Sequence, residues 1–500
     1  MMMNKCALMV TIVPPFPDDQ GNRVVTRNVM DVIISCGYKI DMVLQGNYDQ
    51  KNFEQHFKEK AKVFRTNGRD DFKESVSMTF KKEIQDEIRK TLNDGKVDPY
   101  QESNLRELFL AANQYHPFSF ISDETVNVVE KLVIQKEYDF ILCNYIYCLR
   151  VVSELRNNYN LPPVITITHD AISRLNKQAL EYGINTEHRA CSASIEAECL
   201  NYSDVVCCIT NYEQKYFTSI GVQAKCILME YDSYERMEDL EVEYEAYENK
   251  TICFFASGNP LNERGIKDFL QYCWKDIIKV DPQMKLLIMG KICDKITKKH
   301  KNVTLVGSVS EDKLISNMRR SFVSINPVYL GTGLKIKSVD SICLGLPLVS
   351  FYCGIEGLEE LEDIAFLRAN DWEDFRDKIL LLSRDKELWN RIRTDGKKNA
   401  KERFSKKAVY KDFINLICKI KEIEGRRSIK EETAFFRKDK VELYINNNFV
   451  GSTILLEEGE QLLRSKLKKG IFNKNIEIVI SKNSDKDQIL GQEMRINVRI

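Results

Sequence analysis

The sequence predicts an α/β protein with two doubly wound domains that face each other across a cleft, followed by a small antiparallel β module. Short apolar runs alternate with amphipathic helical stretches in two successive series, as in parallel sheets covered by helices. The length of 500 residues exceeds what a single core normally serves. The final segment alternates apolar and polar residues about an Asn-rich turn, which is typical of antiparallel strands.

The first series predicts an N-terminal domain over residues 1–230. The apolar run at 6–13, a turn rich in proline, a helical stretch from Val24 and the strand IDMVLQ together form a βαβ unit. A charged stretch at about 50–115 is predicted to be a helical insertion. Three later strands complete the predicted sheet: YDFILCNY, PPVITITHD and SDVVCCIT.

A second α/β series predicts another domain of the same kind over residues 251–428. Between the domains, residues 231–250 are strongly acidic and lack strand patterning, so we interpret them as a linker that is solvated and has no function of its own. Each predicted strand of the second domain ends at residues that favour turns. These strands are TICFFAS, MKLLIMG, VTLVG, VSINPV and PLVSFY.

Two features follow the second sheet. Residues 404–427 are basic and amphipathic and are predicted to form one long helix that closes the second domain; its lysines either touch an anionic membrane surface or form a solvated face. Residues 434–500 are predicted to form the small antiparallel β module.

Composition narrows the class of protein. The chain has 74 Lys+Arg against 74 Asp+Glu and 43% hydrophobic residues, which argues against a disordered chain or one that binds nucleic acid. Its fifteen cysteines include no C-x-x-C pair and are expected to be reduced and buried, rather than zinc ligands or disulfides. Without a signal peptide or a spanning apolar run, the protein is expected to be cytoplasmic.

The segment NPVYLGTGLKIKSVDSICLGLPLVS, from residue 326, combines a strand, a glycine-rich turn and a helix. Gly331 and Gly333 permit close approach to the backbone, and the exposed amides at a helix N-terminus suit phosphate oxygens. Lys337 and Asp340 share one helix face, where they would suit the phosphates and the ribose hydroxyls of a nucleotide. The residues alone are equally consistent with an ordinary turn that carries a surface ion pair.

This segment resembles the donor-site motif of retaining glycosyltransferases with the two-domain GT-B fold, family 4-like. The family pattern is G-x-G-x-x-x-K-x-x-E-A followed by G-x-P-V-V. The likeness extends through most of residues 251–400 and more thinly through the first domain. The matching positions are Gly331, Gly333, Lys337, Asp340, Ser341, Gly345 and Pro347.

The resemblance implies transfer of a sugar from a nucleotide-sugar to a glycan or glycolipid, with retention, as in the synthesis of bacterial surface polysaccharides. Two positions depart from the pattern. Asp340 replaces the usual glutamate, and Thr332 stands where an earlier glutamate occurs in part of the family. The turn GIEGL resembles the segment after the donor helix, which implies that Glu356 belongs to the donor site.

The sequence THDAISR directly follows a predicted strand and places His169, Asp170 and Arg174 where parallel sheets present functional groups. A lone histidine is more often a core residue bonded to the backbone, but here three ionisable residues cluster. The resemblance implies that His169 lies beside the transferred sugar, so His169 and Asp170 are the candidate catalytic residues. Arg174 is a candidate on the acceptor side.

The resemblance adds two further donor-site residues, Gly21 in the first-domain loop and Arg264 in an Arg-Gly pair near the diphosphate. Arg23 either helps on the acceptor side or is simply exposed. We expect no cofactor and no metal, since similar enzymes are metal-independent, and peripheral membrane association is a hypothesis. The alternative function is a non-catalytic GT-B-like protein that binds glycan or acts as a scaffold.

Overall fold

The computed structural model of this protein describes residues 5–17, 21–68, 117–181 and 191–422, together with four later strands. Two parallel sheets dominate these residues, and helices cover both of them. The predicted α/β class with two doubly wound domains is therefore confirmed. The domain boundaries stay predictions.

The first sheet is parallel throughout, because each connection between its strands crosses over the sheet. Within the described residues it has seven strands in the order β3-β2-β1-β4-β5-β6-β7. Its central strands are wholly buried, as continuous apolar runs require. The strands are β1 (Cys6–Thr11), β2 (Lys39–Gln45), β3 (Ala61–Thr66), β4 (Phe140–Asn144), β5 (Val164–Ile167), β6 (Val205–Cys208) and β7 (Lys225–Leu228).

The helices of the first domain mostly begin at a serine, threonine or aspartate whose side chain accepts a backbone N–H. Ser122 and Thr210 are two such caps. The described helices are α1 (Gly21–Ser35), α2 (Gln50–Phe57), α3 (Asp123–Gln135), α4 (Arg150–Leu155), α5 (Ile172–Glu181), α6 (Ala193–Leu200) and α7 (Asn211–Ser219).

The second sheet repeats this arrangement. Within the described residues it has six parallel strands in the order β10-β9-β8-β11-β12-β13. The last strand was not predicted, because the short run FLRA carries an arginine and lacks a clear apolar pattern. The strands are β8 (Thr251–Phe255), β9 (Lys285–Met289), β10 (Val303–Gly307), β11 (Val323–Asn326), β12 (Leu348–Phe351) and β13 (Phe366–Ala369).

Short helices precede the second sheet and longer ones surround it. Two of the helices lie in the linker between the sheets. The described helices after β7 are α8 (Tyr234–Met237), α9 (Ala246–Asn249), α10 (Pro260–Tyr272), α11 (Trp274–Val280), α12 (Glu311–Arg319), α13 (Ile336–Leu344), α14 (Trp372–Arg384), α15 (Lys386–Phe404), α16 (Lys406–Val409) and α17 (Lys411–Cys418).

Each sheet has a topological switch point, where neighbouring strands continue in opposite directions along the sheet. In the first sheet it lies between β1 and β4, and in the second between β8 and β11. Ligands of open α/β sheets bind in the crevice beyond the carboxyl ends of the strands at such a point. Thr11 and Asn144 end the two strands in the first sheet, and Asn326 ends β11 in the second.

The predicted insertion and linker both need correction. Residues 61–66 form β3, an edge strand of the first sheet, so the stretch at 50–115 is not wholly helical. Residues 69–116 lie outside the described residues. In the linker, Asp232 and Ser233 are buried, and Asp232 Oδ1 accepts hydrogen bonds from Asn28 and Tyr410. The linker therefore begins as an interior segment rather than a solvated loop.

The prediction of one long helix over 404–427 is wrong within its described part. The segment breaks at Tyr410 into α16 and α17. The break lets α17 pack against the first domain, where the Tyr38 hydroxyl donates to the Ile417 carbonyl at 2.8 Å. Helix α17, which follows the second sheet in sequence, thus contacts the first domain.

Four strands beyond residue 438 pair in an antiparallel sheet in the order β15-β14-β16-β17. Much of the segment predicted as a β module lies outside the described residues, so the module stays a prediction. The strands are β14 (Asp439–Ile445), β15 (Asn448–Leu455), β16 (Asn475–Ser481) and β17 (Glu493–Arg499).

All fifteen cysteines lie within the described residues, are free thiols and are mostly buried. The prediction that the cysteines are mostly buried is therefore confirmed. In the part of the chain that the structure describes, no helix combines the length and apolar character needed to cross a membrane.

Candidate active site

A glycine-rich turn connects β11 to α13 at the switch point of the second sheet. Gly331 has φ 122° and Gly333 has φ 77°, which residues with a side chain rarely adopt. Helix α13 begins at Ile336 directly after the turn, so its first backbone N–H groups lack partners within the helix. Those amides and the positive end of the helix dipole make this turn suitable for an anion.

Lys337 lies in the first turn of α13 and points back over β8. Its Nζ donates to Asn262 Oδ1 of α10 at 2.6 Å and lies 4.9 Å from the ring centre of Phe254. Burial, and secondarily the charge of Lys335, lowers the pKa of Lys337 to about 7. An ammonium held in this way gains strongly from a negative ligand, because the ligand relieves its desolvation.

Lys335 is a second cation of the same turn and was not predicted from the sequence. Its Nζ donates to the carbonyls of Thr332 and Gly333. Burial lowers the pKa of Lys335, while the carboxylates of Asp170 and Glu356 oppose that shift. Two cations therefore lie at the N-terminus of α13, and the spacing L-K-I-K was the signal that could have revealed the pair.

The turn contacts the predicted catalytic residues of the first domain. A Cβ atom added to Gly333 would lie 3.3 Å from the His169 carbonyl oxygen and 3.5 Å from Asp170 Oδ1. Gly21, at the start of α1, likewise faces the start of α13, where its added Cβ would overlap the Ile336 side chain. The structure thus brings Gly21, His169, Asp170 and Gly333 to one place.

The imidazole of His169 is tightly surrounded. Its Nε2 lies 2.8 Å from Asn144 Oδ1 at the end of β4. The ring of Tyr145 stacks on it with 4.1 Å between ring centres and 25° between planes. Burial lowers the pKa of His169 to about 3, so the imidazole is neutral at physiological pH.

Arg174 and Glu356 were predicted for opposite sides of the cleft, yet they form one ion pair across it. Both guanidinium Nη atoms donate to the carboxylate at 2.7 Å, and Glu356 is wholly buried. Glu356 also accepts from the Gly333 amide at 3.2 Å. A further hydrogen bond joins the Gly331 amide to Gln178 Oε1 at 3.1 Å. The glycine turn is therefore held from both domains.

Asp340 is buried and is already engaged. Its Oδ1 accepts from Ser233 Oγ at 2.6 Å and from the Arg236 guanidinium of the linker. Arg236 also pairs with Glu311. The contact between Asp340 and ribose hydroxyls stays a prediction. The contact of this carboxylate with an arginine of the acidic linker was not predicted from the sequence.

The two remaining predicted arginines are engaged with other partners. Arg264 has a side chain 60% exposed and donates to Asp268 and Tyr329. Arg23 donates to the Pro17 carbonyl at 3.2 Å. In this arrangement Lys335 and Lys337 supply the positive charge beside the glycine turn, and the donor-site role of Arg264 and the acceptor-side role of Arg23 stay predictions.

Two buried carboxyl groups support the loop that carries His169. Glu196 accepts from the Ile172 amide at 2.6 Å, and Glu213 accepts from Thr168 Oγ1 at 2.9 Å. Burial raises the pKa of Glu196 to about 7 and that of Glu213 to about 8. Among the residues described, no group of three or more His, Cys, Asp or Glu side chains is placed to hold a metal ion. Independence from metal stays a prediction.

Two facing Rossmann-like sheets with a site at both switch points define the GT-B fold, the class to which this structure belongs. Residues 249–385 match the family model described as Glycosyl transferases group 1. The match covers the second sheet and includes the glycine turn, Lys335 and Lys337. No curated protein matches the chain by sequence.

Solved structures of GT-B proteins share the fold at low sequence identity. Sucrose-phosphate synthase from Thermosynechococcus elongatus matches with TM-score 0.59 and 13% identity over 84% of this chain and 100% of its own. HepE from Anabaena, solved with UDP-glucose, matches with TM-score 0.53 and 14% identity over 83% and 98%. TarM from S. aureus, solved as a point mutant with Fondaparinux, alpha-GlcNAc-glycerol and UDP, matches with TM-score 0.57 and 11% identity over 83% and 99%.

Proposed function

We propose that this protein is a glycosyltransferase that moves a sugar from a nucleotide-sugar donor to a hydroxyl group of a glycan or glycolipid. The observation that carries the proposal is the contact between Gly333, in the glycine-rich turn that precedes Lys335 and Lys337, and the His169–Asp170 loop of the first domain. The match of residues 249–385 to a glycosyltransferase family and the nucleotide-bound structural neighbours support the same conclusion.

Departure of the nucleoside diphosphate places negative charge on its phosphate oxygens as the anomeric carbon becomes positive. The N-terminal amides of α13 and the ammonium groups of Lys335 and Lys337 stabilise that charge in a partly buried site. The bond from the anomeric carbon to the phosphate oxygen breaks, and a bond to the acceptor oxygen forms. The departing phosphate oxygen takes the proton of the acceptor hydroxyl.

His169 acts in this scheme as a neutral hydrogen-bonding group beside the sugar. Its pKa of about 3 means that the imidazole carries no charge at physiological pH. Asp170 contributes a carboxylate on the same loop, close to the turn that binds the diphosphate. Retention of the anomeric configuration, independence from metal and a role in the synthesis of surface polysaccharides are parts of the proposal that rest on resemblance.

Donor hydrolysis tests this function without knowledge of the acceptor. Wild-type protein is incubated with UDP-, GDP-, dTDP- and CMP-sugars, and the release of free nucleotide is measured. At least one donor should be hydrolysed slowly. His169→Ala should lower turnover more than it weakens nucleotide binding, because the imidazole faces the sugar rather than the phosphates.

The outcome also separates the two functions considered for this fold. A protein that binds a nucleotide yet hydrolyses no donor and transfers no sugar would be a non-catalytic binding protein. Equal losses of binding and turnover in His169→Ala would show that the histidine is structural.

A further inference from the structure

The hydrogen bond between His169 and Asn144 has a defined direction. Asn144 ends β4 at the switch point and is fully buried. Its Oδ1 lies 2.8 Å from His169 Nε2, and its Nδ2 lies 3.0 Å from Thr11 Oγ1 and 2.9 Å from Thr26 Oγ1. The donor in each of these three hydrogen bonds can be assigned once it is known whether the two threonine hydroxyls donate or accept.

Both threonine hydroxyls are already committed as donors. Thr11 Oγ1 donates to the Val13 carbonyl at 3.0 Å, and Thr26 Oγ1 donates to the Asn22 carbonyl within α1 at 2.8 Å. A hydroxyl has one proton, so each threonine can only accept from Asn144. The amide nitrogen of Asn144 must therefore face the threonines, and its oxygen must face the histidine.

An amide oxygen only accepts, so the proton of the hydrogen bond belongs to His169 Nε2. In a neutral imidazole the other nitrogen, Nδ1, is then bare and is an acceptor. Within the described residues no hydrogen bond to Nδ1 is formed. The network thus leaves an acceptor on His169 for a group that donates, such as a sugar hydroxyl.

Tyr145 fixes the plane of the same ring. Its backbone has φ 89° and ψ 148°, a strained conformation for a residue with a side chain, and its ring stacks on His169. Strain of this kind persists where the surrounding structure demands it, often at functional sites. Asn144 and Tyr145 are adjacent in sequence. Asn144 determines which nitrogen of His169 carries the proton, and Tyr145 fixes the plane of the same ring.

We propose that Asn144 is a positioning residue that holds His169 in the Nε2–H tautomer and so presents Nδ1 as a hydrogen-bond acceptor to the donor sugar. The role toward the sugar rests on the proposed function. The tautomer itself does not, because it follows from contacts within the protein.

Nitrogen-15 NMR of the full-length protein labelled at histidine tests the tautomer directly. The chain has 5 histidines, few enough to assign the His169 signals from their loss in His169→Gln. The shifts distinguish a protonated ring nitrogen from a bare one. Wild-type protein should show Nε2 protonated and Nδ1 bare, and the opposite assignment would overturn the proposal.

Two substitutions of similar size test whether Asn144 is the cause. Asn144→Leu removes the acceptor, so the Nε2–H form loses its hydrogen bond and the fraction of His169 protonated at Nδ1 should rise; shifts unchanged from wild type would overturn the proposal. Asn144→Asp keeps an acceptor in place, and the threonine hydroxyls can rotate to donate to its new oxygen. This variant should keep Nε2 protonated, and if the leucine variant does not fold, an aspartate variant in which Nε2 is bare would overturn the proposal.

Donor hydrolysis by the same proteins separates the two proposals. If Asn144 acts through His169, Asn144→Leu should lower kcat by about the same factor as His169→Ala and leave the donor KM nearly unchanged. A wild-type protein that shows the tautomer but hydrolyses no donor would contradict the proposed function and leave the assignment of Asn144 intact. Full turnover in a variant that has lost the tautomer would overturn the positioning role.

Discussion

At the scale of single residues, the candidate site depends on burial changing the charge of a side chain. His169 is neutral because burial lowers its pKa to about 3. Lys337 is present in both its charged and its neutral form near pH 7, because burial lowers its pKa to about 7. A ligand that carries negative charge stabilises the ammonium form of Lys337. Binding of a diphosphate should therefore be linked to uptake of a proton.

This linkage predicts the pH dependence of nucleotide binding. Above pH 7 the free protein increasingly holds Lys337 neutral, while the complex needs it charged, so affinity should fall as pH rises from about 7 to about 8.5. The fall approaches about tenfold per pH unit for one proton. Calorimetric titration with the nucleoside diphosphate of the active donor measures it.

Lys337→Arg is the matched control for this prediction. The arginine stays charged at these pH values, so its variant should show a flatter dependence on pH. Lys335 remains in that variant, and because burial lowers its pKa as well, its titration contributes to any residual slope. An equally steep slope in both proteins would show that Lys337 is not the group that titrates.

Sequence reasoning located some of these residues and missed others for physical reasons. Lys337 and His169 were found because each follows a strand within a recognisable spacing. Asn144 was missed because its importance comes from Thr11 and Thr26, which lie more than 100 residues away along the chain. Arg236 was missed since a cation in an acidic linker gives no sign that it will meet Asp340.

At the scale of elements, α10 must approach the segment after β11 closely for Asn262 to reach Lys337. Gly265 permits that approach, because an added Cβ would lie 2.8 Å from the Pro327 carbonyl oxygen and 3.1 Å from Val328 Cα. Backbone atoms cannot move aside as the end of a side chain can. The glycine is thus part of the packing that positions the site.

Gly265→Ala should destabilise the protein although alanine favours helices. Overpacking costs about 1–3 kcal/mol, which exceeds the roughly 1 kcal/mol gained from helix propensity. The melting temperature should fall. Gly68→Ala is the control, because no atom of the described residues lies within 4 Å of its added Cβ. Equal melting temperatures for the two variants would contradict this account of the packing.

Elements with continuous apolar runs were predicted well from the sequence, and elements defined by tertiary contacts were not. Strands β1 and β4 bury every residue and β8 buries its central ones, so their composition identifies them. The break lies instead at Tyr410, whose hydroxyl donates to the distant Asp232 at 2.7 Å. The helical pattern of residues 404–427 cannot indicate a contact with Asp232, which lies far away along the chain.

At the scale of the whole molecule, the two domains meet through polar contacts at the site itself. Arg174 of the first domain pairs with Glu356 of the second, and the glycine turn is bonded to both Glu356 and Gln178. The wholly buried carboxylate of Glu356 depends on Arg174 for compensation. The pair therefore joins the first domain to the carboxylate that holds the Gly333 amide of the glycine-rich turn.

Arg174→Met should destabilise the protein more than replacement of both partners. Removing the guanidinium leaves a buried carboxylate without its cation, which typically costs about 3–5 kcal/mol. In Arg174→Met/Glu356→Met that charge is gone, so part of the loss should be recovered. Melting temperatures of wild type, both single variants and the double variant measure the coupling, and a double variant no more stable than Arg174→Met would contradict it.

The most direct test of the central claim is nucleotide release from the donor panel by wild type, Lys337→Ala and Lys313→Ala. A charged hydrogen bond is worth about 1.5–3 kcal/mol, so Lys337→Ala should lose about tenfold to a hundredfold in kcat/KM. Lys313, an exposed lysine of the same domain, is the control and should leave the rate unchanged. No release from any donor by wild type, or equal rates in all three proteins, would contradict a nucleotide-sugar transferase whose diphosphate lies at the turn before α13.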